Sequence, residues 1–429
     1  MRVNRLGCVS VLAALAFAAC GDRQPAPAAD RHREPLRIAL GVPGRSNSAP
    51  AVAGWGKMVA VAWTASTEKT SDIYISVSDD SGATFRDAVR VNDMEGDTRA
   101  SGEQAARVLI GPGNIIHIIW PSRRDNRAVI RYSTSTDAGR SFSMATTVAG
   151  DMSPGMRGWE SAALAHDGGV HAAWLDGRNA EVREHHHGHG GSDRAASRPA
   201  GGGTAPRQDL FYASWKGDGP EADRLLAERV CFCCKTAVAT SGDHVYVAWR
   251  HIFAGSIRDI AVARSTNKGV TFGTPMRLSD DGWKIDACPD DGPAMAADGH
   301  GVIYVTWPTM VVSNTPRKAI FYSALTEGGT FTPRLRLDSG EADPAHPQIG
   351  SDEHGTSAVV WDERAGETRR IVLRRVTAGK AEPPEIFEGS GVNYPVVAAA
   401  EGYFVVVWSA QTPGQQPTIE GRQLPFRPH

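Results

Sequence analysis

The chain has 429 residues with 46 glycines and 26 prolines, and its 11 tryptophans outnumber its 8 tyrosines. Hydrophobic residues make up 41% of the chain, which suffices for a large core and excludes a wholly disordered protein. The formal net charge of −2 excludes the basic surface that nucleic-acid binding requires. The length favours either two packed domains or one large domain built by repetition.

The N-terminus has the features of an export signal. A basic start precedes an apolar stretch, residues 9–19, that is too short to span a bilayer. This stretch ends in Ala-Ala-Cys20, which resembles a bacterial lipobox, the signal after which the cysteine receives lipid. We predict a signal peptide over residues 1–19 and a lipidated Cys20 that begins a flexible tether over residues 20–34. The predicted location is the bacterial cell envelope, facing the periplasm or the cell surface, with a membrane as partner through the lipid.

An alternating strand that ends in tryptophan recurs seven times and defines an internal repeat, here called the strand-b motif. Its tryptophans are Trp63, Trp120, Trp174, Trp249, Trp307, Trp361 and Trp408. A short apolar run precedes each motif, and a polar loop and further strands follow it, so that most units contain four strands, a to d. Four antiparallel strands per unit are typical of β-propeller blades. The seventh unit lacks its fourth strand, which the spare segment at residues 35–40 would supply.

The repeat therefore predicts an all-β, seven-bladed propeller over residues 35–429, closed by an N-terminal strand. A His/Gly-rich insertion at residues 181–208 explains the one long spacing between tryptophans. This reading makes the large chain a single repeating domain.

Several units carry the turn S-x-D-x-G-x-T-[FW] between strands c and d. Its characteristic residues are Asp80, Gly82, Asp137, Gly139, Asn267 and Gly269. The turn resembles the Asp-box of sialidase-like (BNR-repeat) propellers, and the chain is similar to bacterial lipoprotein members of that family. The acidic or amide side chain is expected to fold back on backbone amides while glycine takes a left-handed conformation, which makes these turns structural. Because enzymatic sialidases have six blades, a six-bladed propeller with an extra strand is the alternative.

Strand order places the b–c loops and the d–a connections on one face, which is where propellers of this family bind ligands. This face is predicted to gather Cys231, Cys233, Cys234 and Cys288 with the insertion's His185, His186, His187 and His189. In an extended chain, Cys231 and Cys233 would point the same way and Cys234 the opposite way. In an exported protein such cysteines favour a disulfide from Cys288 to one of the other three, with a copper or zinc site that the histidines support, or a reactive thiol, as the alternatives.

The resemblance to sialidases also implies a catalytic alternative. Sialidases bind a substrate carboxylate with three arginines and use a tyrosine nucleophile, a glutamate and an aspartate. The corresponding candidates are Tyr394, Glu160 and Asp176, with Arg178, Arg250 and Arg364 as the arginine triad. The family's Arg-Ile-Pro motif is missing, since the nearest string, at Arg37, continues Ile-Ala. The competing interpretation is that these arginines pair with neighbouring acids and brace loops.

Two functions follow from these features. The first is a lipid-anchored, sialidase-like propeller that acts as a binding or assembly module, with a glycan or protein ligand and a Cys/His metal site on this face. The second is an exo-acting glycoside hydrolase of the sialidase class. No nucleic-acid partner is expected.

Overall fold

The computed structural model describes residues 35–148, 153–180, 207–217, 219, 222–285, 287, 289, 291–311, 315–326 and 329–427. The predicted signal peptide, lipidated Cys20 and tether lie outside the described residues, as do Cys288 and the four histidines of the insertion. In the described part the chain forms seven separate sheets, which confirms the seven-bladed all-β propeller and excludes the six-bladed alternative. The helical structure described there is a single 3-10 turn at Pro112–Asn114. None of the described helical structure has the length and hydropathy that a membrane span requires.

The first strand, β1 (Leu36–Leu40), precedes the blades. Blade 1 contains β2 (Ser46–Trp55), β3 (Met58–Ser66), β4 (Ser71–Ser78) and β5 (Val89–Arg90). Blade 2 contains β6 (Arg107–Gly111), β7 (Ile115–Arg124), β8 (Arg127–Ser135) and β9 (Thr146–Thr147). Blade 3 contains β10 (Arg157–Leu164), β11 (Val170–Asp176), β12 (Asp209–Trp215) and β13 (Arg224–Ala227).

Blade 4 contains β14 (Ala237–Ser241), β15 (His244–Arg250), β16 (Ile260–Ser265) and β17 (Met276–Arg277). Blade 5 contains β18 (Ala294–Ala297), β19 (Ile303–Val311), β20 (Arg317–Leu325) and β21 (Leu335–Arg336). Blade 6 contains β22 (Asp343–Ser351), β23 (Thr356–Ala365), β24 (Thr368–Thr377) and β25 (Lys380–Ala381), and β26 (Glu385–Glu388) also pairs with β24. Strands β27 (Asn393–Ala400), β28 (Tyr403–Ala410) and β29 (Thr418–Pro425) begin blade 7.

Blade 7 is completed by the N-terminal strand, as the repeat predicts. Strand β1 pairs antiparallel with β29, from Leu36 opposite Gln423 to Leu40 opposite Ile419. Ile38 is buried there in a cluster that includes Val59 and Val405. The first strands of neighbouring blades contact one another, and β27 also contacts β2. The two ends of the chain therefore close the ring, which leaves no unpaired edge at this junction.

The tryptophans of the strand-b motif form the centre of the packing between blades. All seven are at most 1% exposed. Trp120 of blade 2, for example, shares a cluster with Ile73 and Ile75 of blade 1, and Trp307 of blade 5 shares one with Ile260 of blade 4. The repeat therefore buries its largest side chain where two sheets face each other, because stacked sheets gain most by excluding water there.

The turns between strands c and d contain the side-chain to backbone hydrogen bonds that their sequence predicts. Asp80 accepts a bond from the Thr84 amide at 2.8 Å, and Asp137 and Asn267 accept equivalent bonds from Ser141 and Thr271, both at 2.9 Å. The associated glycines are left-handed; their φ values are 91° at Gly82, 82° at Gly139 and 76° at Gly269. All these polar groups are used within their own turns, which therefore have a structural role.

In four blades, strand a contains a β-bulge close to its N-terminal start. The register shifts lie between Ser48 and Ala51, Gly158 and Ser161, Ala345 and Gln348, and Asn393 and Val396. Each bulge contains a non-glycine residue with positive φ, namely Ala49, Trp159, His346 and Tyr394. Bulges turn a side chain away from its regular pleat, and left-handed non-glycine residues concentrate at functional sites. Four blades thus re-aim a residue at the same end of the propeller.

Candidate functional site

The first strands of the blades line a central channel with a cavity of about 390 Å³. Arg107, Ser161 and Gln348 lie at the end of the channel where these strands begin. Polar residues from six successive blades, three of them buried and three half-buried, surround this end. We call them the channel-mouth cluster: Glu103, Glu160, Lys235, Asp291, His346 and Tyr394.

A larger cavity of about 890 Å³ lies at the opposite end of the strands. Its carboxylate Asp167 forms ion pairs with Lys216 and Lys268, and these side chains are all at least 38% exposed. Exposed ion pairs of this kind are ordinary surface features. The larger cavity also has the buried His171 and Asp352 in its lining, but the titratable groups that several blades bring into direct contact lie at the channel mouth. We therefore place the candidate site there.

Lys235 is the buried cation of the channel-mouth cluster. Its Nζ atom lies 2.8 Å from Glu103 Oε1 and 3.0 Å from the carbonyl oxygen of Pro347. Asp291 Oδ1 is 3.7 Å from the same nitrogen, and the lysine side chain is 1% exposed. A lysine is held in such a buried place only when carboxylates compensate its charge. The ammonium thus joins blade 4 to the acids that precede blades 2 and 5.

Two glutamates of the channel-mouth cluster are poised to hold a proton near neutral pH. Burial and the nearby Asp291 raise the pKa of Glu103 to about 7, although Lys235 acts in the opposite direction. Burial also raises the pKa of Glu160 to about 7, and the Arg107 charge only partly offsets it. Within the described part of the chain, neither Glu160 carboxylate oxygen has a hydrogen-bond partner. Groups shifted in this way are typical of acid–base sites.

His346 and Tyr394 form an aromatic pair on neighbouring blades. Their ring centres are 4.4 Å apart, and His346 Nδ1 lies 2.6 Å from Asp362 Oδ1. Because an ionised Asp362 can only accept, the proton is on Nδ1, which leaves Nε2 as the basic nitrogen. Burial lowers the pKa of His346, which favours this neutral form. The Tyr394 amide also donates to Asp362 at 3.3 Å, so one carboxylate positions both residues.

The three described cysteines form a buried cluster next to the channel mouth. Their sulfur atoms lie within 4.8 Å of one another and could hold a metal ion. Cys231 and Cys234 are free thiols with their sulfurs 3.5 Å apart, whereas Cys233 is disulfide-bonded to a partner outside the described residues. The prediction that Cys234 points away from Cys231 is wrong. The chain turns through Phe232 and Cys233 and is not extended there, which brings Cys231 and Cys234 together.

The environment of the Cys231 sulfur favours a thiolate. The Cys234 thiol donates to it, and Arg258 Nη1 lies 3.2 Å away. The hydrogen bond from Cys234, with the charges of Arg258 and Arg250, lowers the pKa of Cys231 to about 6. Burial raises the pKa of Cys234 well above its ordinary value. The pair therefore contains one thiolate and one thiol near neutral pH.

Most of the arginines proposed for a sialidase triad have structural partners. Arg178 donates to Asp176 at 2.6 Å and to both oxygens of Asp223 at 2.9 Å. Asp176 also accepts a bond from Arg157 at 3.0 Å. Arg250 is 1% exposed and donates to backbone carbonyls, including that of Arg258 at 2.7 Å. These contacts match the interpretation in which the arginines brace loops. Arg364 is exposed near the end of β23.

Of the predicted catalytic residues, the structure places Tyr394 beside His346 and places Glu160 beside Arg107, whose Nε donates to the Glu160 carbonyl at 2.7 Å. Sequence reasoning missed Glu103, Lys235, Asp291 and His346. The sequence did contain one signal. Tyr394 precedes the strand-b tryptophan of its blade by 14 residues, and Lys235 and His346 precede theirs by 14 and 15 residues. Comparing that offset across the units would have identified Lys235 and His346, whereas Asp291 and Glu103 lie 16 and 17 residues before their tryptophans.

No family model matches the chain, and no curated protein matches it. Solved structures do match. An ulvan lyase from a new polysaccharide lyase family has a TM-score of 0.54 at 9% identity, covering 89% of this chain and 94% of its own. An α-L-arabinofuranosidase from Fusarium graminearum has a TM-score of 0.51 at 10% identity, covering 91% and 97%. A sialidase from Streptococcus pneumoniae has a TM-score of 0.46 at 11% identity, covering 87% and 85%. At these identities the likeness concerns the propeller fold alone.

Proposed function

We propose that this protein is a polysaccharide-processing propeller whose site is the channel-mouth cluster. The observation that carries the proposal is the pair of His346 and Tyr394, with ring centres 4.4 Å apart and both bonded to Asp362. A neutral histidine held by a carboxylate is a general base, and a phenol or a protonated glutamate beside it is an acid. Cleavage at a glycosidic oxygen needs such a pair, because one proton leaves the substrate or water and another reaches the leaving group.

The surrounding charges suit a polar, ring-shaped substrate. Lys235 and Arg107 bring positive charge beside Glu103 and Glu160, so the site offers donors and acceptors at one place. Two of the fold relatives, the ulvan lyase and the arabinofuranosidase, are described as glycan-acting enzymes, which supports the same class of substrate. A sialidase-class hydrolase with Tyr394 as nucleophile is the narrower version of this proposal. Arg178 and Arg250 already donate hydrogen bonds to Asp176 and to the Arg258 carbonyl, which argues against their use in an arginine triad for a substrate carboxylate.

The test is turnover of a panel of neutral, uronate-containing and sialylated polysaccharides. Reducing ends report any cleavage, and ultraviolet absorbance of an unsaturated product separates elimination from hydrolysis. We expect His346→Ala and Tyr394→Phe each to reduce turnover at least about 100-fold. The control is His166→Gln, at an exposed position in the cavity at the opposite end. Saturable glycan binding without turnover would instead support the binding or assembly module predicted from the sequence.

Soft-metal binding is a second candidate function, and the proximity of the three sulfur atoms favours it. Thiolates are ligands for copper(I) and zinc, so Cys233 would have to leave its disulfide before it could take part. The test is metal analysis of the protein purified with and without reductant, comparing wild type with Cys231→Ser. Metal at one equivalent in the wild type and none in the variant would support this function.

We further propose that the protein is exported and anchored to the cell envelope through a lipid on Cys20. The supporting observation is the Ala-Ala-Cys sequence after a short apolar stretch. Metabolic labelling with a fatty-acid analogue tests this proposal. We expect Cys20→Ser to abolish the label and to release the protein from membranes, whereas Cys8→Ser, inside the predicted signal peptide, retains it.

A further inference from the structure

The end of strand c, or the turn that follows it, supplies an aromatic ring to the junction with the preceding blade. Phe142 of blade 2 packs on the cluster shared with blade 1, and Phe272 of blade 4 packs on the cluster shared with blade 3. The rings that occupy six junctions in this way belong to Phe85, Phe142, Trp215, Phe272, Phe331 and Phe426. Each ring fills space that two facing sheets would otherwise leave open.

The junction between blades 5 and 6 lacks such a ring in the described part of the chain. Blade 6 passes from β24 to β25 through a tight hairpin, in which Ala378 and Gly379 have φ values of 49° and 74°. The residue that this region adds to the cluster of the junction is the small Ala381. A cavity of about 720 Å³ lies at the junction, and Thr377, Ala378 and Gly379 of the hairpin line it. The cavity therefore lies where the other junctions have an aromatic side chain.

Two tyrosines of blade 5 line the opposite wall of this cavity. The rings of Tyr304 and Tyr322 stack with their centres 6.0 Å apart. Tyr322 has the same place in blade 5 as Tyr212 has in blade 3, since each pairs with the residue before the strand-b tryptophan. Tyr212 meets Phe272 of the next blade edge to face, with ring centres 4.9 Å apart. Blade 5 thus has the tyrosine of this aromatic contact, and blade 6 supplies no ring to meet it.

We propose that this space, here called the blade 5–6 cavity, is a binding site for an uncharged ligand that contains an aromatic ring. Its volume falls within the range of ligand pockets, about 300–1,000 Å³. Val302, Ala324 and Leu335 add apolar walls beside the tyrosines. The cavity lies at the end of the blades that carries the c–d turns, opposite the channel mouth. It is therefore a separate site from the one proposed for polysaccharide.

The polar groups of the lining already have partners, which favours an uncharged ligand. The Arg334 guanidinium lies over the Phe321 ring, 4.6 Å from its centre, and forms an ion pair with Asp281. The Tyr304 hydroxyl donates to Asp298 at 2.6 Å. An anionic ligand would compete with Asp281 for the guanidinium, whereas an aromatic ring gains from burial and from contact with the tyrosines.

An aromatic ring also fits the tyrosine wall better than a sugar ring. A sugar that stacks on a tyrosine needs an open ring face, but Tyr304 and Tyr322 are only 6% and 3% exposed and each covers a face of the other. An aromatic ring inserted edge to face, as Phe272 is against Tyr212, needs no broad platform. The blade 5–6 cavity is thus expected to discriminate between the two kinds of ring.

The test is titration of the purified full chain with 2-naphthol at neutral pH, where this phenol is uncharged, followed by its fluorescence. We expect saturable binding at one equivalent with a dissociation constant below about 1 mM. Decahydro-2-naphthol, the saturated form of the same skeleton, should displace it at least about 5-fold less effectively. No saturable binding of 2-naphthol, equal displacement by the saturated alcohol, or displacement by methyl β-glucoside at similar concentration would overturn the proposal.

An alanine variant assigns the binding to this cavity. Ala324 lies two residues after Tyr322 on β20 and lines the cavity, so a phenyl group on the same side of the strand would supply the missing ring. We expect Ala324→Phe to weaken the binding of 2-naphthol at least about 10-fold. The matched control is Ala365→Phe, at a half-buried position where β23 ends, outside the lining of the cavity. Equal effects of the two substitutions on the dissociation constant would contradict the assignment.

A second variant tests the role of the tyrosine wall and decides the question if Ala324→Phe fails to fold. Tyr322→Leu keeps an apolar side chain but removes the ring that meets the ligand. We expect it to abolish the preference for 2-naphthol over decahydro-2-naphthol, because both would then bind through apolar burial alone. A preference that persists in Tyr322→Leu would mean that the aromatic ligand binds elsewhere.

Discussion

At the scale of single residues, Glu160 is the least compensated group of the candidate site. Its side chain is almost fully buried, and neither carboxylate oxygen finds a hydrogen-bond donor in the described part of the chain. Leaving a buried charge unpaired costs several kcal/mol, and such a group avoids this by keeping its proton. The pKa near 7 is therefore a direct consequence of the position of Glu160 beside the channel.

This raised pKa predicts how stability varies with pH. The folded protein holds the Glu160 proton up to about pH 7, whereas the unfolded chain releases it near its ordinary pKa of 4.5. The stabilising contribution is thus fully present below pH 4.5 and is lost as pH rises through 7. Between pH 5 and 7, the free energy of unfolding of the wild type should therefore fall through the ionisation of Glu160. In Glu160→Gln, which cannot ionise, we expect this fall to be smaller by about 1–3 kcal/mol. Urea titrations of both proteins at each pH measure the difference, and parallel pH curves would contradict the argument.

The chemical state of the cysteines shows why residue-scale features were hard to predict. The spacing of Cys231, Cys233 and Cys234 in the chain is compatible with metal, disulfide or thiol chemistry. Only the turn through Phe232 decides that Cys231 meets Cys234 while Cys233 pairs elsewhere. Lys235 was missed for a related reason. A single lysine beside cysteines is unremarkable in sequence, and its carboxylate partners come from other blades.

At the scale of elements, the c–d turns join neighbouring blades as well as reversing the chain. The left-handed glycine of each turn lies against a side chain of the preceding blade. A Cβ on Gly269 would be 1.9 Å from Tyr212 Oη, and one on Gly139 would be 2.7 Å from Val77 Cγ2. Glycine is therefore required there for two reasons. The backbone is left-handed, and the sheet of the preceding blade approaches too closely to leave room for a Cβ atom.

Two glycine substitutions separate these reasons. Gly242 has a φ of 55° in the β14–β15 turn, with no atom near its missing Cβ, so Gly242→Ala should cost only the conformational term, about 1 kcal/mol. Gly269→Ala adds a collision with Tyr212 and should cost about 2–4 kcal/mol. Chemical denaturation measures both values. A cost for Gly269→Ala no larger than that for Gly242→Ala would mean that the contact with Tyr212 relaxes freely.

Strands and turns were predictable because each depends on a local pattern, whereas the bulges were not. Alternation and a terminal tryptophan specify strand b, and S-x-D-x-G specifies a turn that closes on itself. The bulges at Trp159, His346 and Tyr394 depend on register against strand b, and nothing in their local sequences marks a left-handed residue. These bulges aim the side chains of the candidate site, so the part of the fold most relevant to function was the least visible in sequence.

At the scale of the whole molecule, repetition explains both the fold and the location of the site. One blade cannot bury both faces of its sheet, and stacking seven blades buries the strand-b tryptophans between neighbours. The same repetition brings the start of every strand a to one end of the channel. Residues far apart in sequence, such as Glu103 and Lys235, thereby become direct partners.

Closure of the ring by β1 is the final prediction at this scale. Chains beginning at residue 35 and at residue 42 differ by the strand that pairs with β29 and by the buried Ile38. The shorter chain exposes the edge of β29, and an open edge pairs readily with another copy. We expect a lower free energy of unfolding, together with concentration-dependent association in light scattering after size exclusion.

The matched control is Ile38→Ala in the chain that begins at residue 35. It keeps the backbone pairing with β29 but removes most of the buried side chain, so it should lose about 2–5 kcal/mol and remain monomeric. If the shorter chain associates and Ile38→Ala does not, the backbone pairing of β1 with β29, and not the buried Ile38 side chain, keeps the protein monomeric. A shorter chain that stays monomeric with an unchanged denaturation midpoint would mean that blades 1 to 7 hold the ring through their faces, without the strand that joins its ends.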